Sequence, residues 1–168
     1  MPRPKRLTLI LTAVALLLWL IWRHNPLFPG ERAQVAHWLE CEECQGTELV
    51  SVMALGTRAL PTLGRTLKTG PDSRRVLILR DHLKNSYQTL VDYQKAHGLA
   101  PVGTTQSQYV DRFLGNYDAT YRVRSAIAIA RIGGPQARQL LAQGSVLPNL
   151  RPDVRARIVF QRDSVCHP

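Results

Sequence analysis

Apolar residues after residue 30 recur at the spacing of helix faces, and no stretch alternates in the manner of a strand. In "TELVSVMALG" the positions i, i+3, i+4 and i+7 are occupied by Leu49, Val52, Met53 and Gly56. Gly56 suits the end of this helix because glycine readily adopts the left-handed conformation. The pattern predicts an all-α body.

Two more helices are predicted before residue 98. "TRALPTLGRTLKTG" predicts a helix with Pro61 in its first turn and Gly70 at its end. Asp72 and Ser73 are placed to cap a long helix over "SRRVLILRDHLKNSYQTLVDYQKAHG". We expect its inward stripe to consist of Val76, Leu79, Leu83, Tyr87, Leu90 and Tyr93. Turn-forming residues in the 98–107 stretch then predict a loop.

Four helices are predicted after that loop. "QYVDRFLGNY" predicts a short helix and "DATYRVRSAIAIARIGG" a separate, strongly apolar one. The residues expected to face inward from the second are Val123, Ala126, Ile127 and Ala130. "PQARQLLAQG" and "RPDVRARIVFQR" start with Pro135 and Pro152 in the first helical turn, where a missing N–H costs little.

Residues 51–63 and 126–141 share one plan. Each has an apolar helix that ends near a glycine, a short link, a proline near the next helix start and a leucine-rich second helix. Gly56 and Gly133 correspond and lie 77 residues apart (133 minus 56), close to two units of the roughly 40-residue period of helical-pair repeats. The two stretches therefore indicate an internal repeat.

The stretch "VRSAIAIARIGGPQARQLL" resembles the HEAT-repeat family, and the resemblance covers residues 47–163 at most. It implies an all-α, HEAT-like right-handed stack of antiparallel helix pairs, an α-solenoid fragment whose family role is to bind other macromolecules. The long helix and the loop depart from the repeat pattern, and an irregular helical bundle is the alternative.

A charge-free apolar run, residues 7–22, follows the basic residues Arg3, Lys5 and Arg6. The run is longer than the core of a typical signal peptide, and no small-residue cleavage site follows it. Because basic flanks stay in the cytoplasm, we expect an uncleaved transmembrane signal anchor. A cleaved signal peptide is the alternative.

This anchor divides the chain into residues 1–30, the anchor with a stiff spacer, and residues 31–168, a helical domain. The expected location is a bacterial inner (cytoplasmic) membrane, crossed once, with the domain periplasmic or extracellular.

The net charge of +10 is not confined to the N-terminal segment, and the predicted domain is itself basic. Residues 49–168 hold 17 basic and seven acidic side chains, whereas residues 33–48 hold four carboxylates and neither Lys nor Arg. A basic body suits anionic lipid, an acidic partner or nucleic acid. A solvated arginine-rich surface is the simpler interpretation, and we expect no nucleic-acid partner.

Cys41 and Cys44, within "HWLECEECQGTELV", admit several kinds of site. Haem attachment requires a histidine directly after the second cysteine, where this chain has Gln45. Zinc binding would have to recruit Cys166 and His167, whose adjacency is poor geometry for two ligands of one ion. A thioredoxin-like site needs a preceding strand, and none is predicted.

We expect a disulfide between Cys41 and Cys44, because an exported compartment favours disulfides. A pairing of either cysteine with Cys166 is the alternative. Gly46 would let the chain reverse after this loop, and Thr47 would cap the next helix.

No Gly-rich phosphate loop and no serine in a strained nucleophile turn occur in the sequence, so the chain is predicted not to be an enzyme and to need neither cofactor nor metal. "YVDRFLGNYDATYR" is rich in aromatic and arginine side chains, which often anchor interfaces. The possible partner-binding residues are Tyr109, Arg112, Tyr117, Tyr121 and Arg124. Packing inside the helical core is the alternative role for them.

The predicted function is thus a membrane-anchored, non-catalytic helical-repeat scaffold, exposed on the extracytoplasmic side, that binds a protein partner. The alternative is a metal-binding or thiol-redox protein that acts through Cys41 and Cys44.

Overall fold

The computed structural model of the chain describes residues 29–41 and 46–166, together with Val14 and Leu16. Residues 29–41 and 46–166 form seven α-helices, a short 3₁₀ helix (Gly56–Ala59) and no strand. The helices are α1 (Pro29–Glu40), α2 (Thr47–Ala54), α3 (Leu60–Thr69), α4 (Ser73–Ala96), α5 (Gln106–Ile132), α6 (Gly134–Ser145) and α7 (Pro152–Cys166). The all-α class is therefore confirmed for this part of the chain.

Several helices begin and end at the residues that predicted their ends. Asp72 precedes α4, and its Oδ1 accepts a hydrogen bond from the Arg74 N–H at 2.9 Å. Gly70 follows α3 and Gly133 follows α5, both with positive φ. Pro152 is the first residue of α7, as expected.

The start of α2 differs from the prediction that Thr47 caps it. Gly46 occupies the capping position with a φ of +96°, and Thr47 is already helical. The Thr47 hydroxyl donates to Glu48 Oε2 at 3.0 Å and leaves the backbone amides uncapped by a side chain. The glycine turn, and not a threonine cap, therefore starts this helix.

One continuous 27-residue helix, α5, replaces the two helices predicted between residues 108 and 134. Its N-terminus is fixed by a capping box of Thr105 and Gln108. Gly115 does not break it, because an internal glycine costs only about 1 kcal/mol. Asn116 is held from outside the helix, since its Oδ1 accepts a hydrogen bond from Arg151 Nη1 at 2.9 Å.

Helix α5 is the centre of the fold and packs against each of the other six α-helices. The side chains that fill the core between α5 and its neighbours are Val52, Leu60, Leu63, Leu67, Ile129, Leu141, Val154 and Ile158. Val52 and Ile129, which correspond in the two repeat-like stretches, are both fully buried.

Helix α4 packs mainly on α5, with which it forms a long hairpin. Leu83 is buried there, but Leu90 and Tyr93, which were predicted to face inward, are 37% and 55% exposed. That part of the inward stripe is wrong, because no third helix of the described chain packs extensively on the outer half of α4. We call α4, the following loop and residues 106–116 of α5 the α4–α5 hairpin.

Among the residues that the structure describes, no helix is long and apolar enough to cross a membrane. The predicted anchor, residues 7–22, falls outside them except for Val14 and Leu16, which are helical.

Candidate functional site

Three arginines bind carbonyl groups at the C-terminal ends of other helices. Arg122 Nη1 donates to two carbonyls at the end of α3, and Arg124 Nη1 donates to two at the end of α1. Arg155 Nη1 donates to the last carbonyl of α6 at 2.8 Å. Such carbonyls lack partners within their helix and carry the negative end of its dipole. These three arginines therefore hold helices together, and part of the excess positive charge serves the fold.

Arg124, one of the predicted interface residues, docks α1 on α5. Its Nη1 lies 3.0 Å from Leu39 O, and its guanidinium carbon lies 5.8 Å from the centre of the Trp38 ring. In return, Trp38 Nε1 donates to the Arg124 carbonyl at 3.2 Å. This reciprocal contact assigns Arg124 a structural role.

Tyr121, a second predicted interface residue, lies in the core with only 4% of its surface exposed. Its hydroxyl accepts a hydrogen bond from the Tyr117 hydroxyl at 3.0 Å. Burial, and secondarily this hydrogen bond, raise the pKa of Tyr121. Tyr121 is therefore a neutral core side chain and is not exposed to a partner.

The structure brings the cysteine segment close to these residues. Glu40, the last residue of α1, forms an ion pair with Arg75 of α4. Arg124 of α5 donates to the carbonyl of Leu39, one residue before Glu40. The two regions that the sequence singled out separately thus meet where α1 ends against α4 and α5.

An aromatic stripe runs along α5 at four-residue intervals and consists of Tyr109, Phe113, Tyr117 and Tyr121. Ring centres are 4.7 Å apart for Tyr109 and Phe113 and 4.8 Å apart for Tyr117 and Tyr121. The stripe passes from the core to the surface towards the N-terminus of α5, since Tyr121 is buried and Phe113 is 45% exposed. Phe113 was not among the predicted residues, although its i+4 spacing from Tyr109 signals a shared face.

The stripe meets α4 at Tyr109, which contacts Tyr87. The Tyr87 ring lies 5.5 Å from the Tyr109 ring, and Leu90 and Tyr93 follow Tyr87 along α4. We call Leu90, Tyr93, Tyr109 and Phe113 the hairpin patch. Arg112, another predicted interface residue, is exposed on the same hairpin.

A second surface feature is an open groove of about 550 Å³ between α5 and α7. Its apolar lining includes Val123, Ile127 and Val154, and its arginines are Arg124, Arg151 and Arg157. The sequence did not predict this groove, because it combines residues of two helices whose pairing the linear pattern does not reveal.

Cys41 is disulfide-bonded and closes the last turn of α1, where its N–H donates to His37 O at 2.9 Å. Cys44 and the Cys166 side chain lie outside the described part of the chain. The Cys41–Cys44 pairing therefore stays a prediction. Within the described part, no group of three or more His, Cys, Asp and Glu side chains could hold a metal ion.

Comparisons of the chain with protein-family models, curated proteins and solved structures find no match. The HEAT resemblance accordingly stays a prediction.

Proposed function

We propose that this chain is a non-catalytic helical scaffold that binds a protein partner through the hairpin patch. The observation that carries the proposal is the exposure of Leu90, Tyr93 and Phe113 on a hairpin whose first helix packs mainly on its own partner. Exposed aromatic and aliphatic side chains of this kind are typical of interfaces between proteins.

The patch has the composition of an interface anchor. Tyr109 and Phe113 are already ordered against each other at 4.7 Å, so little side-chain freedom is lost when a partner covers them. Truncation of a central aromatic anchor typically costs about 2 kcal/mol or more of binding free energy. Arg112, exposed beside the patch, supplies a charged rim.

The proposal includes a HEAT-like arrangement in which α2 with α3 and α5 with α6 are corresponding helix pairs. The positive φ of both Gly56 and Gly133 supports this correspondence. So does the complete burial of Val52 and Ile129 at equivalent positions. The α4–α5 hairpin is then the unit between these two pairs, stretched by the loop, and the patch belongs to that unit.

The proposal also places the domain on the extracytoplasmic side of a bacterial inner membrane, held by residues 7–22. The basic residues before that apolar run support this orientation. A partner would then be another membrane protein or an exported protein.

Paired substitutions test the proposal. Membranes that contain the full chain with Tyr93→Ser and Phe113→Ser should lose any protein that co-purifies with the unmodified chain. Phe160→Ser is the matched control, because Phe160 is 64% exposed on α7 and belongs to neither surface described above. If the same amount of the partner protein co-purified with the patch variant and with the control, binding through the hairpin would be refuted.

A further inference from the structure

We propose that the groove between α5 and α7 binds an acidic amphipathic helix of a protein partner. The inference rests on the proposed function, since it assumes that the domain binds proteins. The groove is a different surface from the hairpin patch, and its residues indicate the chemistry of the partner that it binds.

The shape of the groove suits a helix. On α5 its lining runs from Asn116 to Ile127, about 16 Å or three helical turns. Val123 and Ile127 are half-buried along this length, and Val154 of α7 is buried beneath them. An apolar helix face laid along such a floor is a common mode of peptide recognition.

The charges of the groove favour an acidic partner. Three arginines and one carboxylate, Asp153, line it. Asp153 is already paired with Arg151 at 2.7 Å. Arg157 is exposed and makes no ion pair or side-chain hydrogen bond with the residues that the structure describes. A carboxylate on the polar side of the bound helix would give Arg157 a partner.

Other anionic surfaces fit this groove less well. A bilayer is nearly flat on this scale and does not reach a floor that lies between two helices. Nucleic acid would bring phosphates to a lining in which Val123, Ile127 and Val154 offer no hydrogen-bond donors from their side chains. The combination of an apolar floor and an unpaired arginine selects an amphipathic and acidic ligand.

A defined probe tests the inference. The full chain in nanodiscs of zwitterionic lipid is titrated against a fluorescent peptide of about 14 residues, roughly four turns, with leucine along one helix face and glutamate elsewhere. A scrambled peptide of the same composition and empty nanodiscs serve as blanks. The key variant is Arg157→Glu, and Arg138→Glu is its control, because Arg138 is exposed on α6 and does not line the groove.

We expect the Arg157→Glu chain to bind the peptide at least about tenfold more weakly, in line with the coupling energies measured for close charge pairs across interfaces. Arg138→Glu should change the affinity by less than about twofold, and the scrambled peptide should bind more weakly than the patterned one. Equal losses of peptide affinity in the two variants would show that only the net charge of the domain matters, and this would overturn the proposal.

Two further outcomes would also overturn it. One is that the unmodified chain does not bind the peptide. If the hairpin variants still lose their protein partner in that case, the groove proposal is wrong and the proposed function stands. The other is Arg157-dependent binding to vesicles with about one-third anionic lipid, without peptide binding, which would assign the groove to a membrane surface.

Discussion

Leu67 of α3 packs directly against Gly144 of α6, and a Cβ built on Gly144 would lie 2.6 Å from Leu67 Cδ2. The contact has a counterpart one helix turn away, where a Cβ on Gly64 of α3 would lie 2.7 Å from Leu140 Cδ2. Each helix thus receives a leucine of the other in a glycine notch, which lets α3 and α6 approach closely.

The two notches should respond differently to alanine. Leu67 is fully buried and cannot move away, whereas Leu140 is half-buried and can change rotamer. Gly144→Ala should therefore destabilise the domain by up to about 2 kcal/mol, since the cost of overpacking is partly offset by the higher helix propensity of alanine. Gly64→Ala should be close to neutral. Urea unfolding of the two variants measures the difference.

Gly115→Ala is the matched control for these substitutions. A Cβ there would lie 3.8 Å from Arg151 Nη1, an ordinary contact. The variant should gain up to about 1 kcal/mol from helix propensity. If Gly144→Ala stabilised the domain as much as Gly115→Ala, the close packing of α3 on α6 would be wrong.

Removal of the Arg122 side chain should destabilise the end of α3. Arg122 Nη1 donates to Leu67 O and Lys68 O at 2.8 Å each, and Nε donates to Asp118 at 2.7 Å. Arg122→Ala leaves the partly buried Leu67 carbonyl without this donor, which should cost about 2 kcal/mol. Arg138→Ala, which removes an exposed arginine of α6, should be nearly silent in the same thermal melts. Equal melting temperatures would contradict the structural role of Arg122.

Ser125→Ala should leave the domain as stable or make it more stable. Ser125 is fully buried in α5, and its Oγ has no hydrogen-bond partner among the described residues. Alanine removes that unsatisfied hydroxyl and is a better helix former, so a gain of about 1 kcal/mol is expected. A loss of comparable size in urea unfolding would show that the hydroxyl has a partner in solution.

Mass spectrometry of the unreduced full chain tests the cysteine pairing. We expect a peptide that contains a link between Cys41 and Cys44, with Cys166 as a free thiol. Metal analysis of the same sample should find less than one zinc per chain. A link from Cys41 to Cys166 would instead tie α1 to the end of α7 and replace the predicted pairing.

The sequence predicted the helical class and several helix ends because these depend on local chemistry. Asp72, Gly70 and Gly133 act through capping and backbone conformation within a few residues of where they stand. The continuity of α5 could not be predicted, because this helix packs against helices that are distant in the sequence. One such long-range contact is the hydrogen bond from Arg151 to Asn116, 35 positions earlier.

The candidate site was predicted only in part for the same reason. The sequence selected the aromatic stretch, but its side chains have different environments, with Tyr121 in the core and Phe113 at the surface. Arg124 became structural through contacts with Trp38 and Leu39, 86 and 85 positions away. Helical periodicity predicts which residues share a face, and it does not predict which helix covers that face.

The central claim, partner binding through the hairpin patch, is tested most directly by photocrosslinking in intact cells. A photoreactive phenylalanine analogue is placed at Phe113 or, as the control, at Phe160 of the full chain. We expect a discrete crosslinked protein from position 113, lost when Tyr93 is changed to serine, and none of that size from position 160. Crosslinks of equal pattern from both positions, or none from position 113, would contradict the claim.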